Sequence, residues 1–282
     1  MGKTSQMLSR TGVDPLNGLI LAHLESMQQH LAQATLTAQE VHALRVDCKQ
    51  LRGWWQLRRE SLGKAAVSEH QARPRAIARA LAGPREARML RKTHARAYAW
   101  VDERSQRLLD ALRPGLTSAA LSESVAELDH APLKRLLSDE MAAWQAAPLT
   151  GEELTAGLEF SRHRLHKLAA RVISEREIET SHRLRKWIKY RRFQLALAHA
   201  ALGETAGREL ESPSRGRRRE PELLDKAASR LGNQHDLAEL ALWVGERVML
   251  PAAEKHLVAD ILRLADQRLE QALTPLAKLG YA

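Results

Sequence analysis

One pattern of basic residues occurs twice in the sequence and constrains the fold more than any other feature. The segment VHALRVDCKQLRGWW places four such residues at helical spacings of three, four and three: His42, Arg45, Lys49 and Arg52. The segment SHRLRKWIKYRRF repeats the residue types and the spacing 140 residues later: His182, Arg185, Lys189 and Arg192. A four-position match at half the chain length indicates an internal duplication, and therefore a fold with two related halves.

Each copy predicts a helix with a narrow cationic face. At about 100° per residue, the four side chains fall within an arc of about 80° and extend over about 15 Å of helix axis. We call the four residues of the first copy the first basic ridge and those of the second copy the second basic ridge. A lone basic stripe is usually a solvated helix face. Because like charges at these spacings destabilise a helix, their repetition favours a bound anion over a solvated face.

An apolar seam lies beside the first basic ridge and is interrupted in the second copy. Its residues in the first copy are Val41, Leu44, Cys48, Leu51 and Trp55. In the second copy Arg191 stands where the first copy has Leu51. We therefore expect Arg191 to add charge and to weaken the packing of the second helix.

The whole sequence favours an all-α fold. Glycine and proline are sparse, at 15 and 10 of 282 residues, and the apolar residues recur at helical spacing. One helix is predicted to begin after Asp14 at Pro15, with one apolar stripe formed by Leu16, Leu19, Ile20, Leu24, Met27 and Leu31. Another is predicted to run from the capping-box residue Thr37, with Glu40, to about Leu62. The other predicted helices span residues 72–82, 85–112, 118–128, 131–146, 151–174, 176–203, 221–231, 234–248 and 251–278.

The sequence predicts a chain organised as two helical halves with one basic loop. We expect a tail over residues 1–14, a first helical half over 15–147 and a second over 148–282. The segment SPSRGRRREP, residues 212–221, is bounded by prolines and predicts a mobile basic loop.

Composition narrows the class of partner and compartment. The net charge of +10 predicts an anionic partner. The single cysteine, Cys48, can form neither an internal disulfide nor a cysteine zinc cluster, which indicates a reducing compartment. Because neither a membrane-spanning apolar run nor a secretory signal is recognised, we expect a cytoplasmic protein without membrane contact.

A second pair of matching segments follows the two ridge helices. These are ARALAGPREARML around Gly83 and ASRLGNQHDLAEL around Gly232. Both predict a helix that ends at glycine, followed by a helix with Glu86 or Asp236 in its first turn. We favour this structural role over a catalytic one.

With the two ridge motifs and the segments LAGPREA and LGNQHD, the sequence resembles the CHAD family, the conserved histidine α-helical domain, over residues 15–275. The resemblance implies two pseudo-symmetric antiparallel helical bundles around a basic central surface or pore. It also implies binding of inorganic polyphosphate, often with association with polyphosphate granules, without established catalysis by the domain. We expect no cofactor.

The resemblance and the chemistry of the ridges together predict the binding residues. Arginines can donate forked hydrogen bonds to phosphate, lysines supply compact charge, and histidines can donate hydrogen bonds and gain a charge when protonated. We therefore expect all eight ridge residues to bind polyphosphate. Candidate additional phosphate contacts are Arg79, Arg85, Arg88, His166, Lys226 and Arg230.

Other functions are weaker interpretations of the sequence. His163 and His166 have helical spacing but lie among basic residues without a third ligand, so no metal site is predicted. Neither a nucleophile motif nor a phosphate-binding glycine loop is recognised, so we expect no enzyme activity. The six tryptophans are dispersed along helices, and most of them are expected to pack in the core or at bundle interfaces. A phosphate-directed nucleic-acid-binding protein and a granule scaffold that recruits a protein partner stay open as alternatives.

Overall fold

Every regular element in the described part of the chain is a helix, which confirms the all-α prediction. The computed structural model describes residues 15–33, 35–81, 85–121, 129–213, 219–247 and 252–282, without the side chains of 85–88, 115–121, 247 and 252–254. The helices are α1 (Pro15–Ala32), α2 (Ala38–Trp55), α3 (Arg59–His70), α4 (Ala72–Ala80), α5 (Arg85–Tyr98), α6 (Glu103–Leu121), α7 (His130–Ala146), α8 (Gly151–Glu175), α9 (Ile178–Leu202), α10 (Glu204–Arg208), α11 (Glu220–Arg247) and α12 (Ala252–Lys278). Within these ranges no helix combines the length and the apolar character needed to cross a membrane.

Helix starts follow the capping signals of the sequence. The Thr37 hydroxyl accepts a hydrogen bond of 3.2 Å from the Glu40 amide, and the Glu40 carboxylate accepts one of 2.7 Å from the Thr37 amide. This confirms the predicted capping box at the start of α2. The predicted cap Asp14 and the whole tail over residues 1–14 lie outside the described residues.

Some predicted helix boundaries are wrong, because contacts distant in sequence set them. The helix predicted over 37–62 gives way to a 3-10 turn, Gln56–Arg58, after Trp55. Gly157 of α8 lies so close to Leu57 that a Cβ atom there would overlap the Leu57 main chain.

Further predicted boundaries also differ. The helix predicted over 85–112 is two helices, because Asp102 accepts a hydrogen bond of 2.9 Å from the Ser105 amide and starts α6. The helices predicted over 221–231 and 234–248 are the single helix α11. Of the helix predicted over 118–128, residues 118–121 continue α6 and the others lie outside the described ranges.

The chain forms two compact units that each draw on separate stretches of sequence. The described residues of Met1–Ala82, Glu127–His166 and Trp187–Pro221 form the first unit. Those of Gly83–Ala126, Lys167–Lys186 and Glu222–Ala282 form the second. The sequence repeat over 15–147 and 148–282 stays a prediction, since compactness in space does not test a duplication in sequence.

The first unit has an aromatic centre around a buried carboxylate. The ring of Trp55 packs between the rings of His70 and Trp144, with centroid distances of 3.9 and 4.0 Å. Both indole N–H groups donate to Glu140, which also pairs with Arg73 at 2.9 Å. Burial raises the pKa of the Glu140 carboxyl, while these hydrogen bonds and the Arg73 charge lower it. The carboxylate thus ties α2, α4 and α7 together.

The predicted apolar stripe of α1 is buried with one exception. Five of its residues are at most 1% exposed: Leu16, Ile20, Leu24, Met27 and Leu31. Leu19, which we expected on this stripe, is 37% exposed. The remainder of the stripe matches the helical periodicity read from the sequence.

The second unit has an aliphatic core built from four helices. It packs residues from α5, α6, α11 and α12: Leu90, Ala97, Leu109, Leu237, Leu240, Val244, Leu257 and Ile261. Small and aliphatic side chains fill this core, in keeping with a sequence in which only 4% of the residues are aromatic.

Candidate anion-binding site

The first basic ridge lies on α2, in the first unit. His42 is exposed, whereas Arg45, Lys49 and Arg52 are half-buried. Arg45 Nη1 donates a hydrogen bond of 3.0 Å to the carbonyl oxygen of Leu81, immediately after α4. Carbonyl oxygens at a helix end lack partners within the helix, so Leu81 offers a free acceptor that positions the guanidinium. The acceptor is neutral, so this bond leaves the positive charge in place.

The second basic ridge lies on α9, which contributes to both units. His182 and Arg185 belong to the second unit, whereas Lys189 and Arg192 belong to the first. His182 is exposed and the other three residues are half-buried. Arg185 Nε donates a hydrogen bond of 3.2 Å to the carbonyl oxygen of Ala228 in α11. Arg185 therefore makes the same kind of main-chain bond as Arg45, its equivalent in the motif.

Gly232 makes room for the guanidinium of Arg185. A Cβ atom on residue 232 would lie 2.7 Å from Arg185 Nη2 and 3.1 Å from Cζ. The Ala228 carbonyl is also the helical acceptor for the Gly232 amide, so the guanidinium reaches it across bare backbone. The prediction that a helix ends at Gly232 is therefore wrong, because this glycine lies inside α11. The equivalent prediction at Gly83 falls outside the described residues.

The two ridge helices contact each other at equivalent positions in the first unit. Trp54 Nε1 donates a hydrogen bond of 3.2 Å to the carbonyl oxygen of Phe193. Gln194 Nε2 donates one of 2.9 Å to the carbonyl oxygen of Gly53. Phe193 and Gln194 follow Gly53 and Trp54 by 140 residues, the same offset that relates the ridges. The two bonds thus exchange donor and acceptor positions between α2 and α9.

The end of the first basic ridge lies beside a buried tyrosine of α9. Burial raises the pKa of the Tyr190 hydroxyl, while the charges of Arg52 and Arg75 lower it. Gln71 connects these arginines: its Nε2 donates to the Arg52 carbonyl at 2.5 Å, and Arg75 Nη2 donates to its Oε1 at 3.1 Å. We did not predict Arg75, although it lies four residues before Arg79 on the same face of α4.

His182 has a histidine neighbour that the sequence spacing did not predict. The rings of His182 and His235 lie 4.8 Å apart, between centroids, in the second unit. Partial burial lowers the pKa of His182, and His235 and Arg185 lower it further. His182 thus resists protonation while no anion is bound. His235 lies in the LGNQHD segment, on the helix that packs against the ridge. A histidine in that segment is the sequence signal that could have predicted this neighbour.

Arg191 does not add its charge to the second basic ridge, contrary to our expectation. Its side chain is buried, and Nε and Nη2 bind the two carboxylate oxygens of Glu220 at 3.0 and 3.1 Å. Its Nη1 donates to the Leu158 carbonyl at 2.6 Å, and its Nη2 to the Leu210 carbonyl at 3.0 Å. Glu220 also accepts from the Ser212 amide. Arg191 is therefore a buried, paired residue that links α9 to neighbouring segments, and its charge does not reach the second basic ridge.

Hydrogen bonds and ion pairs hold both described ends of the predicted basic loop, at Ser212 and at Arg219. Arg219 pairs with Glu204 and Glu211, and Glu220 begins α11. Residues 214–218, which include most of the predicted loop arginines, lie outside the described residues. The described ends at Ser212 and Arg219 are thus anchored, whereas the sequence predicts mobility.

The candidate additional contacts fall into two groups. Arg79 on α4 and His166 on α8 are exposed residues of the first unit, while Lys226 and Arg230 on α11 are exposed residues of the second. Arg230 also donates to Gln271. The side chains of Arg85 and Arg88 lie outside the described residues.

Metal-binding side chains do not gather at the ridges in the described part of the chain. His163 is exposed and lies 3.4 Å from the Glu159 carboxylate. In the described part of the chain, the three side chains close enough together to hold a metal ion are Asp102, His256 and Asp260. None of them is a ridge residue. The ridges therefore offer cationic chemistry, suited to an anion.

Comparison with known proteins bears on these matched basic helices. A family model, the CHAD domain, matches residues 18–244, which include both basic ridges. No curated protein and no solved structure matches the chain. Since the family model covers most of the sequence, the chain belongs to the CHAD domain family.

Proposed function

We propose that this protein binds inorganic polyphosphate, without catalysis, through its two basic ridges. The observation that carries the proposal is the matched placement of Arg45 and Arg185. Each occupies the same motif position, and each is held by a neutral main-chain carbonyl, at Leu81 and at Ala228. Such a bond orients a guanidinium fork and does not itself neutralise the charge that attracts phosphate oxygens.

The form of the ligand follows from the form of the ridges. Polyphosphate carries charge on every unit and has no bases, so its binder needs rows of cationic donors and no surface that reads bases. The ridges are such rows, each extending over about 15 Å of helix. Association of the CHAD family with polyphosphate, and the generally non-catalytic character of the domain, support this choice.

The same proposal includes the internal duplication. The reciprocal bonds of Trp54 and Gln194 support it, because a twofold relation between α2 and α9 requires such an exchange. We propose that two duplicated helical bundles present the ridges on a common basic surface. In the cell, polyphosphate binding would bring the protein to polyphosphate granules.

Neutralising two residues of each ridge tests the proposal. In the variant Arg45→Gln/Lys49→Gln/Arg185→Gln/Lys189→Gln, we expect the Kd for polyphosphate to rise about a hundredfold at moderate salt, since four charge-assisted contacts are lost. The dependence of binding on salt should also become shallower. Fluorescence anisotropy with labelled polyphosphate measures both, and circular dichroism checks that helical content is unchanged.

A matched variant separates the ridges from net charge. Arg162, Arg171, Arg208 and Arg263 are each paired with an acidic residue three or four positions away on the same helix. Changing these four to glutamine removes the same charge but no ridge residue, so affinity should fall no more than about threefold through long-range attraction alone. Equal losses in the two variants would contradict the proposal.

Competition distinguishes polyphosphate from nucleic acid as the ligand. Short polyphosphate should displace labelled nucleic acid from the wild-type protein at a far lower concentration of phosphate units than nucleic acid displaces polyphosphate. The reverse order would favour the phosphate-directed nucleic-acid-binding alternative.

A further inference from the structure

A second basic surface lies outside the two ridges, in the first unit. Arg59 of α3 and Arg164 of α8 lie over two neighbouring aromatic rings. The Arg59 guanidinium is 6.0 Å from the Phe160 ring centroid, and that of Arg164 is 6.0 Å from the Trp187 centroid. The two rings themselves are 5.6 Å apart. We call Arg59, Phe160, Arg164 and Trp187 the arginine–aromatic patch.

The two arginines of the patch repel each other. Partial burial, and then the charge of Arg164, lowers the pKa of Arg59. Among the described residues, no carboxylate forms an ion pair with either guanidinium, whereas the neighbouring Arg162 pairs with Glu159 at 2.6 Å. Two adjacent guanidinium groups without a carboxylate gain most from a shared anion.

The patch and the second basic ridge lie on opposite sides of α9. At about 100° per residue, Trp187 is rotated by about 160° from Lys189 and by about 140° from Arg192. All three residues belong to the first unit. An anion that reaches the patch therefore contacts a surface that the ridge motif does not include.

The chemistry of the patch favours phosphate over a nucleobase. A guanidinium lies over each ring, which leaves less open ring surface for base stacking. The N–H groups of a guanidinium that lies over a ring can still donate forked hydrogen bonds to phosphate oxygens.

We propose that the arginine–aromatic patch is a second anchor for polyphosphate, used by chains long enough to occupy a ridge and the patch together. This inference rests on the proposed function. A tethered second contact raises the overall affinity, because it binds at the high effective concentration set by the first. Long chains then bind more tightly than short ones, beyond the statistical gain from their greater number of units.

Chain length provides the test. In the variant Arg59→Gln/Arg164→Gln, we expect about tenfold weaker binding of long-chain polyphosphate, from two exposed charge-assisted contacts. Binding of tripolyphosphate should be unchanged, which also shows that the variant is folded. The variant Arg171→Gln/Arg208→Gln removes equal charge from exposed arginines paired with Glu175 and Glu204 and should bind both ligands like wild type.

The outcomes separate this inference from the proposed function. Wild-type affinity of the Arg59→Gln/Arg164→Gln variant for long chains would overturn the second anchor and leave ridge binding intact. Equal weakening for tripolyphosphate would also overturn it, since the patch would not depend on chain length. A loss confined to single-stranded nucleic acid would assign the patch to that ligand instead. If neither polyphosphate binds the wild-type protein, the proposed function itself fails.

Discussion

The two ridge helices present the same basic residues but have different residues buried behind them. Behind the first basic ridge, Leu51 is buried in an apolar seam. At the equivalent position behind the second, Arg191 is equally buried but is paired with Glu220 and bound to main-chain carbonyls. A surface motif therefore says little about the packing beneath it, because the exposed face and the buried face of a helix are constrained separately.

The arginines that begin the charged part of each ridge also differ in how they are held. Arg45 uses the carbonyl of Leu81, which a helix end leaves unpaired. Arg185 uses a carbonyl inside α11, which only the missing side chain of Gly232 makes accessible. At the same motif position, a guanidinium is thus bound to a main-chain carbonyl through two unrelated backbone features.

The largest expected effect on stability comes from replacing Arg191 with leucine, the residue type at the equivalent seam position of α2. The substitution Arg191→Leu should lower the free energy of unfolding by about 3–5 kcal/mol, because it leaves the Glu220 carboxylate buried without its cation. Urea denaturation followed by circular dichroism measures this. If the second seam were only a weakened copy of the first, the same substitution would stabilise the protein.

A second variant keeps this prediction specific to the ion pair. Arg191→Leu/Glu220→Leu removes both charges and should recover part of the lost stability, since an apolar pair often replaces a buried ion pair at little cost. Recovery should stay incomplete, because the Leu158 and Leu210 carbonyls lose their donor. A double variant less stable than Arg191→Leu would contradict this account.

A smaller effect tests whether the contact between α2 and α9 is equivalent on its two sides. Trp54→Phe and Gln194→Leu each remove one of the reciprocal hydrogen bonds. Each should lower the free energy of unfolding by about 1 kcal/mol, the net value of one such bond. Losses that differ by more than about 2 kcal/mol would show that one bond dominates, and would remove this support for the duplication.

Most features that depend on neighbours along the chain were predicted from the sequence, although the local Asp102 cap that starts α6 was missed. The capping box of Thr37 and Glu40, the buried stripe of α1 and the helical spacing of both ridges are set within a few residues. Local hydrogen bonds and helical periodicity determine these features, so the pattern alone predicts them.

The sequence did not predict the contacts that form between residues distant along the chain. Arg191 pairs with Glu220 because the start of α11 packs against α9. The spacing of the seam residues does not predict this buried carboxylate. Gly232 has two local interpretations, a helix end or a bare helical surface, and the guanidinium of Arg185 selects the second. His235 likewise approaches His182 only through the packing of α11.

The smallest expected effect concerns His182 and sharpens the difference between the ridges. Partial burial, His235 and Arg185 lower its pKa, Lys186 also lowers it, and Glu179 raises it. A bound phosphate favours the protonated ring, so the affinity for polyphosphate should rise by about threefold as the pH falls below the ordinary histidine value of about 6.5. His182→Gln should flatten this part of the binding profile. His235→Gln should shift it to higher pH, because the ring of His182 then loses a neighbour that opposes its protonation. A profile that is unchanged in both variants would show that His182 stays neutral in the complex, and that the histidine of the second basic ridge contributes no charge to binding.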